Sequence, residues 1–144
     1  MNEAIHVVCP HCRAVNRVLT ERIGDHAKCG SCRNVLFTKH PVELTESDFD
    51  RHVGSNDIPV VVDFWAPWCG PCRSMAPHFE RAAAELEPRF RFAKLNTETT
   101  PAIAARYGIR SIPTVVMFKG GREVARESGA MDLPTIMRWV RGNA

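Results

Sequence analysis

The chain has 144 residues, 44% of them hydrophobic, and 19 Lys/Arg against 16 Asp/Glu for a net charge of +3. That is room for one ordinary domain and a small appendage, and too apolar for a disordered chain. No uninterrupted apolar stretch approaches the ~18 residues of a membrane span. Residues 1–6 show neither the basic nor the apolar region of a signal peptide, so a cytoplasmic location is expected.

Structural disulfides are rare in that compartment, so the six cysteines point to metal binding or catalysis. They fall into three C-x-x-C pairs: Cys9/Cys12, Cys29/Cys32 and Cys69/Cys72. Charge is uneven along the chain. Residues 1–40 hold six Lys/Arg and three Asp/Glu, and residues 41–144 hold thirteen of each. Four thiolates and one Zn²⁺ would subtract two charges from the first part. The remainder is too small to argue for nucleic acid.

Taken in order, the first two pairs are sixteen residues apart, which fits the C-x₂-C-x₁₅₋₂₀-C-x₂-C zinc pattern. Cys9, Cys12, Cys29 and Cys32 are the predicted ligands of one tetrahedral zinc. Gly30 is expected to supply the backbone freedom of the second knuckle. His6, His11 and His26 are read as surface residues, since four sulfurs fill the site. Val15-Asn16-Arg17-Val18-Leu19 and Ala27-Lys28 read as short strands, and Val35-Leu36-Phe37 continues them. About forty residues bury too little to fold alone, so metal supplies folding energy. Residues 1–40 are therefore a predicted zinc ribbon. No base-reading helix lies between the knuckles, which disfavours DNA.

Pro41 favours an extended link at His40, and residues 41–144 form the second domain. Residues 42–44 are a candidate strand. Thr45 is a candidate N-cap for a helix running to about Val53 and ending at Gly54. Residues 58–65 are apolar enough for a central buried strand. Asp63 within it either faces solvent at the strand end or is a buried acid with a raised pKa and a proton-transfer role.

Trp68-Cys69-Gly70-Pro71-Cys72 follows, at a strand-to-helix junction. Residues three apart share a helix face, so the two sulfurs can meet as a disulfide. Pro71 is tolerated in a first helical turn, and Gly70 allows a tight turn. Cys69 then sits where unpaired N–H groups and the helix dipole favour a thiolate. A zinc half-site is the competing reading, but the upstream cysteines already make a complete set. The helix continues through Met75, Phe79, Ala82, Ala83 and Leu86, with a kink expected at Pro77.

Residues 89–95 alternate as a strand, and Lys94 would pair with Asp63 if the two strands are neighbours. Thr100 reads as a cap for a helix over residues 102–107. Residues 113–118 and 123–128 read as a hairpin about Lys119-Gly120-Gly121-Arg122. Asp132 caps the last helix, which buries Leu133, Ile136, Met137, Trp139 and Val140.

The segment from Asp63 to Cys72, with Lys94-Leu95-Asn96, Tyr107-Gly108-Ile109-Arg110-Ser111-Ile112-Pro113-Thr114 and Phe118-Lys119-Gly120-Gly121, resembles the thioredoxin family. With zinc knuckles in front, the whole chain is similar to its zinc-containing two-domain bacterial members. Glu98 stands where many members have Asp. The resemblance implies an α/β thioredoxin fold, a central mixed sheet flanked by helices, behind the ribbon. It implies a cis Ile112–Pro113 bond, and a substrate groove of Trp68, Ile112, Pro113 and the Gly129-Ala130 backbone. It tips Asp63 towards the buried acid/base role. It implies a protein-disulfide reductase cycling between dithiol and disulfide at Cys69/Cys72, re-reduced by thioredoxin reductase. No dinucleotide fingerprint is present, so no bound nucleotide is expected. Disulfide-containing proteins are the expected substrates of a monomer that binds neither nucleic acid nor membrane. The alternatives are a protein-docking module and a thiol oxidase or disulfide isomerase; for the zinc site, beside the structural role, they are partner selection and a redox response in which oxidised sulfurs release zinc.

Overall fold

A computed structural model describes residues 3–144. Two sheets are present among the described residues. The first is the antiparallel pair β1 (Ala4–Val8) and β2 (Val15–Leu19). The second has five strands in the order β3-β5-β4-β6-β7, formed by β3 (Val42–Glu43), β4 (Val60–Trp65), β5 (Arg91–Asn96), β6 (Thr114–Lys119) and β7 (Arg122–Ser128). β3, β5 and β4 are parallel, while β6 runs antiparallel to both β4 and β7. The helices are α1 (Phe49–Ser55), α2 (Gly70–Leu86), α3 (Pro101–Arg106) and α4 (Leu133–Asn143).

The alternation of β4 builds two cores. Val61, with Phe92, Val115 and Met117, packs under Met75, Phe79, Ala83 and Leu86 of α2 and Ile136 and Val140 of α4. Val60, Val62 and Phe64 face the other way, onto Phe49 and Val53 of α1 and Ile103 of α3. Asp63 shares the parity of Val61, so its side chain stands on the α2 face. No helix among the described residues is long and apolar enough to cross a membrane.

Several local expectations shift. Strand β1 was not anticipated. Thr45 does not cap α1 directly. Its hydroxyl accepts from Asp48 N (3.2 Å) while Asp48 accepts from Thr45 N (2.7 Å), a reciprocal box one turn before the helix. Thr100 makes no cap bond either; its hydroxyl donates to Asn96 O at 2.8 Å. β5 begins at Arg91 rather than Arg89. Pro77 lies inside α2, which stays one helix of 17 residues. The Ile112–Pro113 bond is cis, as expected, and so is Glu87–Pro88.

Candidate active site and metal centre

Cys69 and Cys72 are joined as a disulfide, with their Cα atoms 5.2 Å apart. Cys69 occupies the N-cap of α2, and its sulfur accepts from Cys72 N at 3.2 Å. A sulfur thus stands where serine or aspartate oxygens stand in other caps. Pro71 lies in the first turn, where its missing N–H is harmless. Gly70 is the first helical residue and has no left-handed φ; a Cβ there would meet only Arg73 Nη2, at 4.0 Å. The tight turn lies just before it, over residues 66–69, closed by Cys69 N donating to Ala66 O at 3.2 Å, and Gly70 needs no special conformation. Both cysteines are nearly covered, and Cys69 Sγ lies 3.7 Å from the Ile112 carbonyl oxygen. Trp68 beside them is 65% exposed. Gly129 has φ +100° and donates its N–H to Pro113 O at 2.8 Å, so that donor is already engaged.

Asp63 is buried, its Oδ1 has no hydrogen-bond partner, and no described side chain bonds it. The open choice between a solvent-facing and a buried carboxylate is decided for burial. Desolvation pushes its pKa up to about 7; Lys94 opposes the shift and Glu43 adds to it. The register explains both, since Glu43, Lys94 and Asp63 stand in one row across β3, β5 and β4. Lys94 is the expected neighbour of Asp63, but the two form no direct ion pair. Its Nζ sits 4.4 Å from the Trp65 ring centroid instead.

The four other sulfurs lie within 4.8 Å of one another. Cys9–Cys32 and Cys12–Cys29 are each 3.6 Å apart. A tetrahedron of ~2.3 Å Zn–S bonds spaces its sulfurs about 3.8 Å apart, so the cage fits zinc. The two knuckles repeat one pattern. Arg13 N and Arg33 N bond back to Cys9 O (3.0 Å) and Cys29 O (2.9 Å), each from a left-handed residue (φ 66° and 70°). The arginines after the knuckles, and not Gly30, carry the unusual conformation. His11 N reaches Cys9 Sγ, and Ser31 N and Asn16 Nδ2 reach Cys29 Sγ, all at 3.4 Å. Such donors favour thiolate and bring the Cys29 thiol down to about 6, whereas at Cys9 burial outweighs them and pushes the thiol up to about 11.

The family model described as "Thioredoxin" matches residues 40–142. The chain belongs to the thioredoxin family. It is a thiol-disulfide oxidoreductase, as members of that family are. A second model, "Thioredoxin 2, N-terminal", a zinc ribbon, matches residues 8–34. Thioredoxin C-3 of Corynebacterium nephridii is 42% identical over 134 residues, 93% of this chain and 92% of its own. Thioredoxin 1 of Nostoc sp. (47%) and thioredoxin of Porphyra purpurea (48%) each align over 94 residues, 65% of this chain and 88% of theirs.

What sequence reasoning missed in this thioredoxin is the seam between ribbon and main sheet. Arg91 is fully buried there. Its Nη2 donates to Val8 O (3.0 Å) and Leu36 O (2.8 Å), and its guanidinium lies 4.5 Å from the Phe37 ring centroid. Nη1 stands 3.6 Å from Glu87 Oε2. Glu87 also accepts from Lys39 N and Phe92 N, both at 3.1 Å. His52 is buried beside this group with neither ring nitrogen bonded. Val8 N donates to Asn56 Oδ1 at 2.8 Å. The sequence signal was slight: a second arginine, two residues after Arg89, at the head of a strand that carries Lys94 as well.

Proposed function

We propose that this protein reduces disulfides in other proteins through Cys69 and Cys72, with Asp63 as proton acceptor and the ribbon as a zinc-stabilised appendage. The observations that support it are the Cys69 sulfur capping α2 and, on the α2 face of β4, a buried carboxylate whose pKa is pushed up to about 7. In the reduced protein, the Cys69 thiolate attacks one sulfur of a substrate disulfide. A Cys69–substrate bond forms, the substrate S–S bond breaks, and one substrate thiolate leaves. Cys72 then gives its proton to Asp63 through an intervening water and attacks the Cys69 sulfur. The second substrate thiolate leaves and the Cys69–Cys72 disulfide remains. Two electrons have moved to the substrate.

Returning the disulfide to dithiol takes two electrons and two protons, which this reading assigns to a partner because no dinucleotide fingerprint stands in the sequence. Thioredoxin reductase is that partner in this reading. Trp68, Ile112, Pro113 and the backbone at Gly129 are the proposed substrate contacts; Ile112 O lies 3.7 Å from Cys69 Sγ, and Trp68, next in sequence, is exposed. Cys9, Cys12, Cys29 and Cys32 would hold zinc, whose bonds supply the folding energy that a forty-residue module lacks. The cysteine usage suits a reducing, cytoplasmic setting. Residues 1–40 and 41–144 are the proposed domains.

The test is a pair of substitutions on zinc-loaded protein. Cys69→Ser abolishes reduction of a protein disulfide, while Cys72→Ser accumulates a mixed disulfide with it. Full turnover by Cys69→Ser overturns the assignment. A reduction potential as oxidising as that of dedicated oxidases, about −120 mV, would point to thiol oxidation instead.

A further inference from the structure

In the ribbon, His6 pairs with Arg17 and Val8 with Val15. Cys9 N bonds Ala14 O and Thr20 N bonds Glu3 O, both at 2.9 Å. That alternation makes 3/20, 5/18, 7/16 and 9/14 the hydrogen-bonded pairs. The residues between them turn their N–H and C=O groups outward. On β1 this outer edge is covered. His6 N donates to Asp57 (2.6 Å) and His6 O accepts from Asp57 N (2.9 Å). Val8 N and Val8 O are taken by Asn56 and Arg91. On β2 it is open. No described residue hydrogen-bonds the main chain of Val15 or Arg17, or the N–H of Leu19.

An open groove of about 470 Å³ runs beside this edge, walled by Arg17, Leu19, Arg22, Asp25, His26 and Lys28. Arg17, Arg22 and Lys28 are exposed and form no ion pair among the described residues. Asp25 is the single acid in the wall. Val15 adds an exposed apolar contact, 46% accessible. An unpaired edge is a template for another strand, and cations on it repel a second copy of the same edge. The same cations attract a strand that carries acids.

We propose that the outer edge of β2 docks an extended acidic segment of a partner protein, which adds to the ribbon as a third strand. Main-chain bonds to Arg17 and Leu19 provide affinity, and carboxylates opposite Arg17, Arg22 and Lys28 provide selection. The ribbon seats on the main sheet at Arg91, where β5 begins, whereas Cys69 follows the far end of β4. Six strand residues separate the two ends by about 20 Å. The groove can therefore be filled while Cys69 stays open.

The test uses the zinc-loaded full chain, ¹⁵N-labelled, and a synthetic twelve-residue peptide of alternating Glu and Thr. The alternating Lys and Thr peptide and a short single-stranded DNA are controls. Expected are saturable shifts and slowed hydrogen exchange at the Arg17 and Leu19 amides with the acidic peptide alone. Binding should fade towards 1 M salt, where the screening length is about 3 Å. Arg17→Glu with Arg22→Glu should weaken binding about tenfold or more. Arg17→Pro should abolish it, because proline removes the outward N–H, while Arg17→Gln keeps part of it. Equal binding by the Pro and Gln variants overturns strand addition. Protection that never reaches Arg17 and Leu19 in the unmutated chain does so without any variant. Binding of the DNA but not of the acidic peptide overturns the choice of partner.

Discussion

Arg91 offers the sharpest test of how the ribbon and the thioredoxin domain are joined. Burial pushes the Glu87 carboxyl up and the Arg91 guanidinium down, in both cases against their mutual attraction. Desolvation thus outweighs the ion pair itself, and the pair is held by what surrounds it. Arg91→Ala leaves Glu87 as an uncompensated buried acid, withdraws the donor from Val8 O and Leu36 O, and uncovers Phe37. Removing one partner of a buried pair costs about 3–5 kcal/mol. Each orphaned carbonyl would add about 1–3 kcal/mol if kept dry. Water can enter the vacated space, so the expected loss is about 4 kcal/mol, a large share of the roughly 5–15 kcal/mol of a typical domain.

Urea unfolding of zinc-saturated protein measures the loss, and zinc retention against a chelator reports the ribbon. Arg91→Met with Glu87→Gln removes both charges and should recover most of it. An unchanged midpoint in Arg91→Ala refutes the reasoning. So does a double variant no better than the single one.

Five further outcomes follow from the same geometry. Asp63→Asn should fold and slow disulfide reduction near pH 7 by about 10²-fold. Its stability has a definite sign. The folded Asp63 pKa is raised from 3.8 to about 7, so the native state holds the extra proton between those values and stability falls as pH rises through them. Asp63→Asn should therefore gain about 4 kcal/mol over wild type above pH 7 and nothing near pH 3, measured by urea unfolding against pH. Glu43→Gln removes a like charge and should lower the Asp63 titration midpoint, read by carboxyl NMR; an unmoved midpoint would exclude the coupling.

His52 behaves oppositely. Burial lowers its pKa from 6.5 to about 4, against the pull of Asp48 and with Arg91, Arg13 and Arg51 adding to the drop. Stability is whole above pH 6.5 and falls by about 3 kcal/mol as pH drops towards 4. His52→Leu should remove that acid sensitivity in thermal unfolding while leaving stability at pH 7 nearly unchanged. Removing zinc should lower the unfolding midpoint of the main sheet as well as the ribbon, because Val8 and Leu36 hold Arg91. Hydrogen exchange at β5 distinguishes the two.

The redox pair was legible because its chemistry is local. Cys69, Pro71 and Cys72 lie within one helical turn, and spacing alone brings their sulfurs together. The zinc cage was legible for a related reason: two knuckles each converge two sulfurs, leaving only one long-range meeting to be inferred. Periodicity placed α2 and α4, which each bury one apolar face, an unbroken apolar run placed β4 and β6, and the Gly120-Gly121 turn placed β7, which is exposed along nearly all its length. Helix starts were less legible. Thr45 and Thr100 are good capping residues in isolation, but their hydroxyls found the Asp48 amide and the Asn96 carbonyl instead. Strand β1 escaped notice because five residues with a histidine in the middle carry little pattern.

The sequence by itself determined that Cys69 meets Cys72 and that each ribbon knuckle converges two more sulfurs, because the members of each pair are neighbours along the chain. Tertiary structure alone decided what their surroundings do to them. Asp63 became a buried acid only when β4 was placed under α2 with Glu43 and Lys94 in register across three strands. Arg91 became the joint between domains only when Val8 O and Leu36 O came to its guanidinium, and the outer edge of β2 stayed open while Asn56 and Asp57 closed that of β1. Burial and pairing depend on groups tens of residues apart, and no local pattern records which of them meet.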